Sequence, residues 1–201
     1  MFIKAGEESW YAMSFSDSNY ELVELTDDAK QKEGKNYIER PYYRDYPTKA
    51  VAVLTFGETR DEFWIQQRPP EDCKPLHWEI VAGSKSSEHD SMREAAQEEI
   101  REELFGNDLS EAPEEFNLNY LGKVYKETDN PQELHLFSYE SGRSSFPESD
   151  EVQDGEFISR GEIPEEIEQR QVTNSTLYSV REIGLLDNPE SDLEKLAKEN
   201  L

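Results

Sequence analysis

The stretch that decides the fold runs from His77 to Gly106 and reads HWEIVAGSKSSEHDSMREAAQEEIREELFG. Its apolar start, from Trp78 to Ala82, is typical of a short strand, and a glycine and a polar loop follow it. A segment that begins near Asp90 then has apolar residues at intervals of three and four, which predicts an amphipathic helix. The sequence therefore predicts a strand, a loop and a long helix in close succession.

Carboxylates occupy a second stripe of this predicted helix. Glu99, Glu102 and Glu103 stand at i, i+3 and i+4, so their side chains are neighbours on the helix surface. Like charges so close together repel unless a cation lies between them, and Mg²⁺ prefers carboxylate oxygens as ligands. The chain carries 46 Asp and Glu in 201 residues, however, so a solvated acidic face explains the same spacing. On spacing alone, both interpretations stay open.

The same stretch resembles the Nudix box, G-x5-E-x7-R-E-U-x-E-E-x-G-U, in which U is a bulky aliphatic residue. The positions that match are Glu99, Ile100, Glu102 and Glu103. The positions that differ are Ser84 for the first glycine (Gly83 is one earlier), Asp90 for the loop glutamate, Glu98 for the arginine and Phe105 for the late glycine (Gly106 is next). Because the arginine of the box pairs with its carboxylates, Glu98 predicts weaker metal binding or slower turnover.

The elements before the box extend the resemblance. Ala50–Phe56 is an apolar run typical of a buried strand, and Glu62–Arg68 reads as the return strand of a hairpin. From about residue 20 to 160 the chain is similar to the branch related to isopentenyl-diphosphate isomerases, whose strand also ends in Gln-Gln-Arg. The cysteine of those isomerases has no counterpart between Trp78 and Gly83, so we expect a hydrolase. The resemblance implies an α/β fold, a Nudix-type α/β/α sandwich with a mixed β-sheet between helices.

The length predicts one domain over residues 1–201, in which residues 1–20 show no clear period and residues 161–201 form helices that pack on the rest. Further elements are predicted as an edge strand at Tyr20–Leu25, a turn at Thr26–Asp28, a loop at Lys30–Lys35, an aromatic loop at Tyr37–Pro47, a polar loop at Asn107–Glu115, strands at Phe116–Tyr125, Glu133–Tyr139 and Glu156–Ser159, and helices from Gly161, at Val172–Ile183 and at Ser191–Asn200.

The net charge of −25 excludes two classes of partner. A nucleic-acid duplex and an anionic membrane surface would both be repelled, because no basic stripe interrupts the acidic sequence. The acidity fits either adaptation to high salt, where screening relieves self-repulsion, or an ordinary acidic protein. The excess of Glu over Asp and the nearly equal use of Lys and Arg count against the first interpretation, which we nevertheless favour.

The single cysteine, Cys73, excludes an intramolecular disulfide and a cysteine zinc cluster. The sequence also has no run of 18 apolar residues and does not open with a signal peptide. These features predict a cytoplasmic protein.

The resemblance implies a metal-dependent hydrolase that cleaves a diphosphate linkage in a nucleoside-diphosphate-linked or related small molecule. It implies Mg²⁺ or Mn²⁺ as the cofactor, held by Glu99, Glu102, Glu103, Asp90 and the Gly83 carbonyl. The implied catalytic residues are Glu102, Glu103 and Glu151, with Glu103 or Glu151 as the base. The substrate-binding residues are expected to be Arg68, Arg40, Lys85, Trp78 and Glu79. The alternative is a catalytically weak or inactive Nudix-fold module that binds a nucleotide or a protein, and a homodimer is compatible with either function.

Overall fold

The computed structural model describes residues 22–39, 46–72, 74–106, 109–126, 131–147 and 149–184. The strands are β1 Leu22–Glu24, β2 Tyr37–Glu39, β3 Thr48–Phe56, β4 Glu62–Gln67, β5 Trp78–Glu79, β6 Val81–Ser84, β7 Leu118–Lys126, β8 Gln132–Glu140 and β9 Asp154–Ser159. The helices are α1 Asp27–Glu33, α2 Met92–Glu99, α3 Ile163–Gln169 and α4 Asn174–Glu182, with a π-helix at Ile100–Phe105 and a 3₁₀ turn at Leu109–Glu111.

The main sheet has seven strands and is mixed. Its central path runs β5-β4-β3-β8-β7, while β6 pairs with β3 and β9 pairs with β4. Strands β3 and β8 are parallel along their whole length, and the other pairs are antiparallel. The predicted hairpin pairs only at Phe56 and Phe63, because β3 takes β6 as its neighbour over the rest of this edge.

The alternation of side chains along β3 divides the core into two layers. Ala50, Ala52 and Leu54 face a cluster that α3 and α4 cover, whereas Val51 and Val53 face a cluster that α2 and the π-helix cover. Helices therefore bury both faces of the sheet, and the predicted α/β/α sandwich is confirmed.

The segment after β1 differs from the sequence prediction. Residues 27–33, predicted as a turn and a solvated loop, form helix α1. Thr26 caps it by accepting the Ala29 N–H, Asp27 and Asp28 lie in its first turn, and Gly34 ends it with a φ of 67°. Since only Ala29 is buried, these capping residues were the only strong sequence signal for a helix.

The start of the predicted aromatic loop also differs, because Tyr37–Glu39 is strand β2, which pairs with β1. The strands predicted after the box and the two helices from Gly161 to Ile183 are confirmed. The remaining predictions, for residues 1–20 and 40–45 and for the helix at 191–200, lie outside the described residues.

Candidate active site

An acidic cleft opens beside the π-helix, with a volume of about 770 Å³. The residues that line it are Arg68, Pro69, Glu71, Asp72, Glu79, Ala82, Gly83, Ser86, Glu88, His89, Glu98, Glu99, Glu102, Glu103, Asp150 and Glu151. It brings together the predicted glutamates of the helix, Gly83 and Glu151, which is 48 residues beyond Glu103 in the sequence. Nearly all of its ionisable side chains are carboxylates.

The helix that supplies the glutamates changes character along its length. It is α-helical from Met92 to Glu99, where Ser91 caps it by accepting the Glu94 N–H, and it continues as a π-helix to Phe105. A π turn closes i→i+5 instead of i→i+4 hydrogen bonds and so holds one more residue than an α turn. The helix then ends at Gly106, which has a φ of 57°.

This extra residue accounts for the displaced late glycine. Phe105, which stands at the glycine position of the box, is fully buried against Phe116 and Phe146. Gly106, one position later, has the positive φ at the helix end that favours glycine. The π turn of this chain and the one-residue shift of its glycine thus occur at the same place in the helix.

The glycine near the start of the box, Gly83, lies in close contact with the side chain of Glu99. A Cβ on Gly83 would lie 1.6 Å from Oε1 of Glu99, so a side chain here would occupy the space that the carboxylate fills. Only glycine allows Glu99 to lie directly against β6. Gly83, rather than Ser84, thus provides the place where strand and helix meet.

Glu103 is the most enclosed of the helix carboxylates, with 8 % of its surface exposed. Its Oε2 accepts hydrogen bonds from Gln66 Nε2 at 2.7 Å and from the Ala82 N–H at 3.2 Å. Burial raises the pKa of Glu103 well above its usual range, and the negative charges of Glu99 and Glu79 raise it further. The Gln66 hydrogen bond opposes this shift.

Arg68 holds a second buried carboxylate at the cleft. Its Nη1 contacts both oxygens of Glu79 at 2.8 Å, and its Nη2 pairs with Asp72. Burial raises the pKa of Glu79 to about 7, although the charge and hydrogen bonds of Arg68 act in the opposite direction. The predicted phosphate-binding arginine thus lies in the cleft with two acidic partners.

Glu98 replaces the arginine of the box and makes a different contact. Its carboxylate pairs with Nε2 of His89, whose Nδ1 accepts the Ser86 N–H at 3.1 Å. Because Nδ1 accepts, the proton of the neutral ring is on Nε2 and is donated to Glu98. The pair joins the loop after β6 to the helix, and no sequence pattern around His89 predicted this role.

Ser149 joins the loop that carries Glu151 to the helix. Its hydroxyl donates to the carbonyl of Glu102 at 2.8 Å and accepts the Glu151 N–H at 3.2 Å. The loop is thereby held at the π-helix, and Glu151 and Asp150 reach the cleft.

Three of the predicted site residues lie outside the lining of the cleft. Lys85 is buried, where it pairs with Glu24 and donates to the carbonyl of His89 at 2.7 Å. Trp78 lies 4.1 Å under the guanidinium of Arg170 on the opposite face of the sheet, and Asp90 is exposed. Arg40 lies outside the described residues.

Gln66 was missed by the sequence analysis, although a signal was present. In the β4 sequence Phe63-Trp64-Ile65-Gln66, the alternation puts Gln66 on the same face of the sheet as Trp64, the face that α2 and the π-helix cover. Gln66 is only 1 % exposed. A polar residue at an inward strand position needs a partner, and that partner is Glu103.

The donor set fits a hard divalent cation, because it consists of carboxylate oxygens from the helix and the Ser149 loop. The side chains line the cleft without closing around one point. Among the residues that the structure describes, no three His, Cys, Asp or Glu side chains stand in an arrangement that could hold a metal ion.

No helix in the described ranges is long and apolar enough to cross a membrane.

Solved structures share this fold, and two of those compared below are described as NUDIX proteins. DR0079 of Deinococcus radiodurans superposes with a TM-score of 0.63 at 18 % identity, covering 80 % of this chain and 97 % of that one. A NUDIX hydrolase of Alicyclobacillus acidocaldarius gives 0.53 at 10 % identity, covering 74 % and 95 %. The NUDIX domain of Shewanella oneidensis NrtR, in complex with ADP ribose, gives 0.52 at 10 % identity, covering 79 % and 97 %. No protein-family model and no curated protein matches the sequence. The chain therefore has the Nudix fold, at identities too low to identify an activity.

Proposed function

We propose that this chain hydrolyses a diphosphate linkage in a nucleoside-diphosphate-linked or related small molecule, with Mg²⁺ or Mn²⁺ as its cofactor. One observation carries the proposal: glutamates from the helix and from the distant Ser149 loop line one cleft, where Gly83 leaves room for the Glu99 carboxylate. The Nudix fold of the chain supports the same reaction class.

The carboxylates of Glu99, Glu102 and Glu103 are the proposed metal ligands, and their side chains would have to rotate towards one point to hold the ion. A divalent ion bound among them would supply positive charge to the phosphoryl oxygens and activate a water molecule. Both hydrogen bonds to Glu103 within the described residues go to Oε2, so Oε1 is the oxygen that we propose binds the ion. The predicted Gly83 carbonyl stays in the proposal because Gly83 lines the cleft, whereas Asp90 does not.

The proton of the attacking water passes to a carboxylate in this proposal. Glu103 and Glu151 are the candidate bases, and Glu151 is exposed and lines the cleft. Arg68 is the proposed contact for the phosphate that does not react, because it is the arginine in the lining. Water attacks one phosphorus, the bridging P–O bond breaks, and two phosphorylated products leave.

The NrtR domain that binds ADP ribose suggests the first substrate to test. The screen uses ADP-ribose, nucleoside-diphosphate sugars and isopentenyl diphosphate, each with Mg²⁺ or Mn²⁺, and detects the products by chromatography. We expect hydrolysis of a nucleoside-diphosphate compound, its loss in Glu102→Gln, and no conversion of isopentenyl diphosphate. Glu168→Gln, an exposed glutamate on α3, is the control that makes the same change of charge.

The Glu98–His89 pair favours the alternative function. It puts a carboxylate where the Nudix box has an arginine, so one cationic group is missing from the helix. A wild-type protein that binds ADP-ribose in calorimetry and releases no product would be a binding module. Equal rates of hydrolysis for the wild type and Glu102→Gln would refute the proposal that these carboxylates form the active site.

A further inference from the structure

A chain of buried hydrogen bonds leads from the core to the cleft. Trp64 Nε1 donates to Gln66 Oε1 at 3.1 Å, and Gln66 Nε2 donates to Glu103 Oε2 at 2.7 Å. All three side chains are more than nine-tenths buried. This series of hydrogen bonds leads from β4 to the π-helix and ends on a carboxylate that lines the cleft.

The direction of this chain is fixed by its first member. The indole N–H can only donate, so it requires the oxygen end of the Gln66 amide. The NH₂ end must then face Glu103, and the reversed amide would oppose two donors at one end and two acceptors at the other. Trp64 thus determines that Glu103 receives a donor.

The indole itself is held firmly in place. The rings of Phe146 and Phe157 pack against it edge-on, with centroids 4.9 and 5.1 Å away. Gly155, which is opposite Gln66 in β9, lies so close that an added Cβ would be 2.1 Å from the indole. Together these three neighbours leave no room for the indole ring to turn.

We propose that Gln66 is a positioning residue for metal binding, and that Trp64 sets the orientation of its amide. Gln66 and the Ala82 N–H hold Oε2 of Glu103 on the sheet side, so that Oε1 is presented to a divalent cation in the cleft. The inference rests on the proposed function, since it concerns the same carboxylate. It adds two residues that do not themselves contact the substrate.

The test measures Mn²⁺ binding to the full chain by electron paramagnetic resonance, which reports free Mn²⁺ without any turnover. Gln66→Leu removes the amide at similar volume, and Trp64→Phe removes only the N–H and one ring. Loss of a group that orients a metal ligand typically costs about 10- to 100-fold in affinity, and we expect a loss in this range for Gln66→Leu. For Trp64→Phe we expect a smaller loss, on the order of 3- to 10-fold, because the amide remains but is free to reverse.

The control variant is Phe146→Leu, which disturbs the packing of the same indole and leaves the hydrogen bonds intact. It should lose thermal stability and keep its Mn²⁺ affinity. In the double variant, Trp64→Phe should add no further loss to Gln66→Leu, because the indole acts through the amide. A purely structural role would give additive losses that follow the melting temperature.

Failure of this inference and of the proposed function give different results. If the wild type binds Mn²⁺ and both variants bind it equally well, Gln66 and Trp64 have no positioning role, and the metal site stands. If the wild type binds no Mn²⁺ at millimolar concentration, the metal site and the positioning role are both refuted. Parallel measurement of kcat and KM should show the loss in kcat at saturating substrate and subsaturating Mn²⁺.

Discussion

Two buried glutamates, Glu24 and Glu103, have equal exposure of 8 % and opposite electrostatics. Glu24 lies among three lysines; burial alone would raise the pKa of this carboxyl, but hydrogen bonds from Lys30, Lys85 and Lys49 outweigh burial and lower it from 4.5 to about 2. Glu103 receives one amide and one backbone N–H, and burial together with Glu99 and Glu79 raises its pKa. Lysines of the fold neutralise the charge of Glu24. No lysine within the described residues does so for Glu103, and a bound cation would offset the repulsion that its charge experiences from Glu99 and Glu79.

The largest expected effect separates these two sites. Glu103→Gln should lower turnover by about 10³-fold, the middle of the range for loss of a general base, and should leave the melting temperature unchanged or higher. The stability should not fall because a buried negative charge with acidic neighbours is removed. Steady-state kinetics and calorimetric melting test both parts. A large fall in stability would show that Glu103 is a structural residue like Glu24.

The second prediction concerns added Mg²⁺. A ligand at 100 times its Kd stabilises the folded state by about 2.7 kcal/mol, so Mg²⁺ should raise the melting temperature of the wild type by several degrees. Glu99→Gln should lose most of this gain, and Glu24→Gln should keep it. An equal gain in both variants would place the ion elsewhere on the acidic surface.

The third prediction is the reverse of the first. Glu24→Gln should cost about 2 kcal/mol of unfolding free energy, since three lysines lose their common anion, and turnover should be largely kept. This value is below the range for fully buried pairs because Lys30 and Lys49 are partly exposed.

The stabilisation by Glu24 should also depend on pH. The folded pKa is lowered, so the contribution is complete above the unfolded value of 4.5 and is lost as the pH falls towards about 2. Urea melts between pH 6 and 3 should therefore converge for the wild type and Glu24→Gln. Parallel curves would mean that the lysines do not stabilise the carboxylate.

The smallest effect is expected for Ser149→Ala. Loss of one hydroxyl that bridges Glu102 and Glu151 should cost about 1 kcal/mol in kcat/KM, roughly fivefold, through a looser loop. Ser141→Ala is the matched control, since its hydroxyl also bonds a carbonyl, that of Phe56, outside the cleft. An equal loss in both variants would remove the special role of Ser149.

The sequence predicted the layers and the main carboxylates for local reasons. The apolar run of β3 and the three- and four-residue spacing of α2 are periodic signals, and they gave the sandwich and the helix that carries Glu99. The convergence of Glu99 and Glu103 followed from the spacing, although the π winding that brings Phe105 inward did not. Helical winding depends on packing that no short window of sequence contains.

The contacts that the sequence could not predict join distant segments. Gln66 meets Glu103 because the π-helix packs on the sheet that contains β4. Lys85 meets Glu24 because β1 lies beside the residues that follow β6. Lys85 was expected at a phosphate because its charge was read without this buried partner. Trp78 was expected at the substrate because alternation alone does not state which face of β5 adjoins the cleft.

The π-helix has a consequence for how this chain is related to others. The surplus residue between Ile100 and Phe105 corresponds to one codon, and its deletion would restore continuous α winding while the residues after it keep their places in the fold. An alignment that respects the three-dimensional structure would therefore place a one-residue gap inside the motif. A sequence search that requires an ungapped motif would miss chains of this kind. Proteins with the same helical winding are better found by structure comparison.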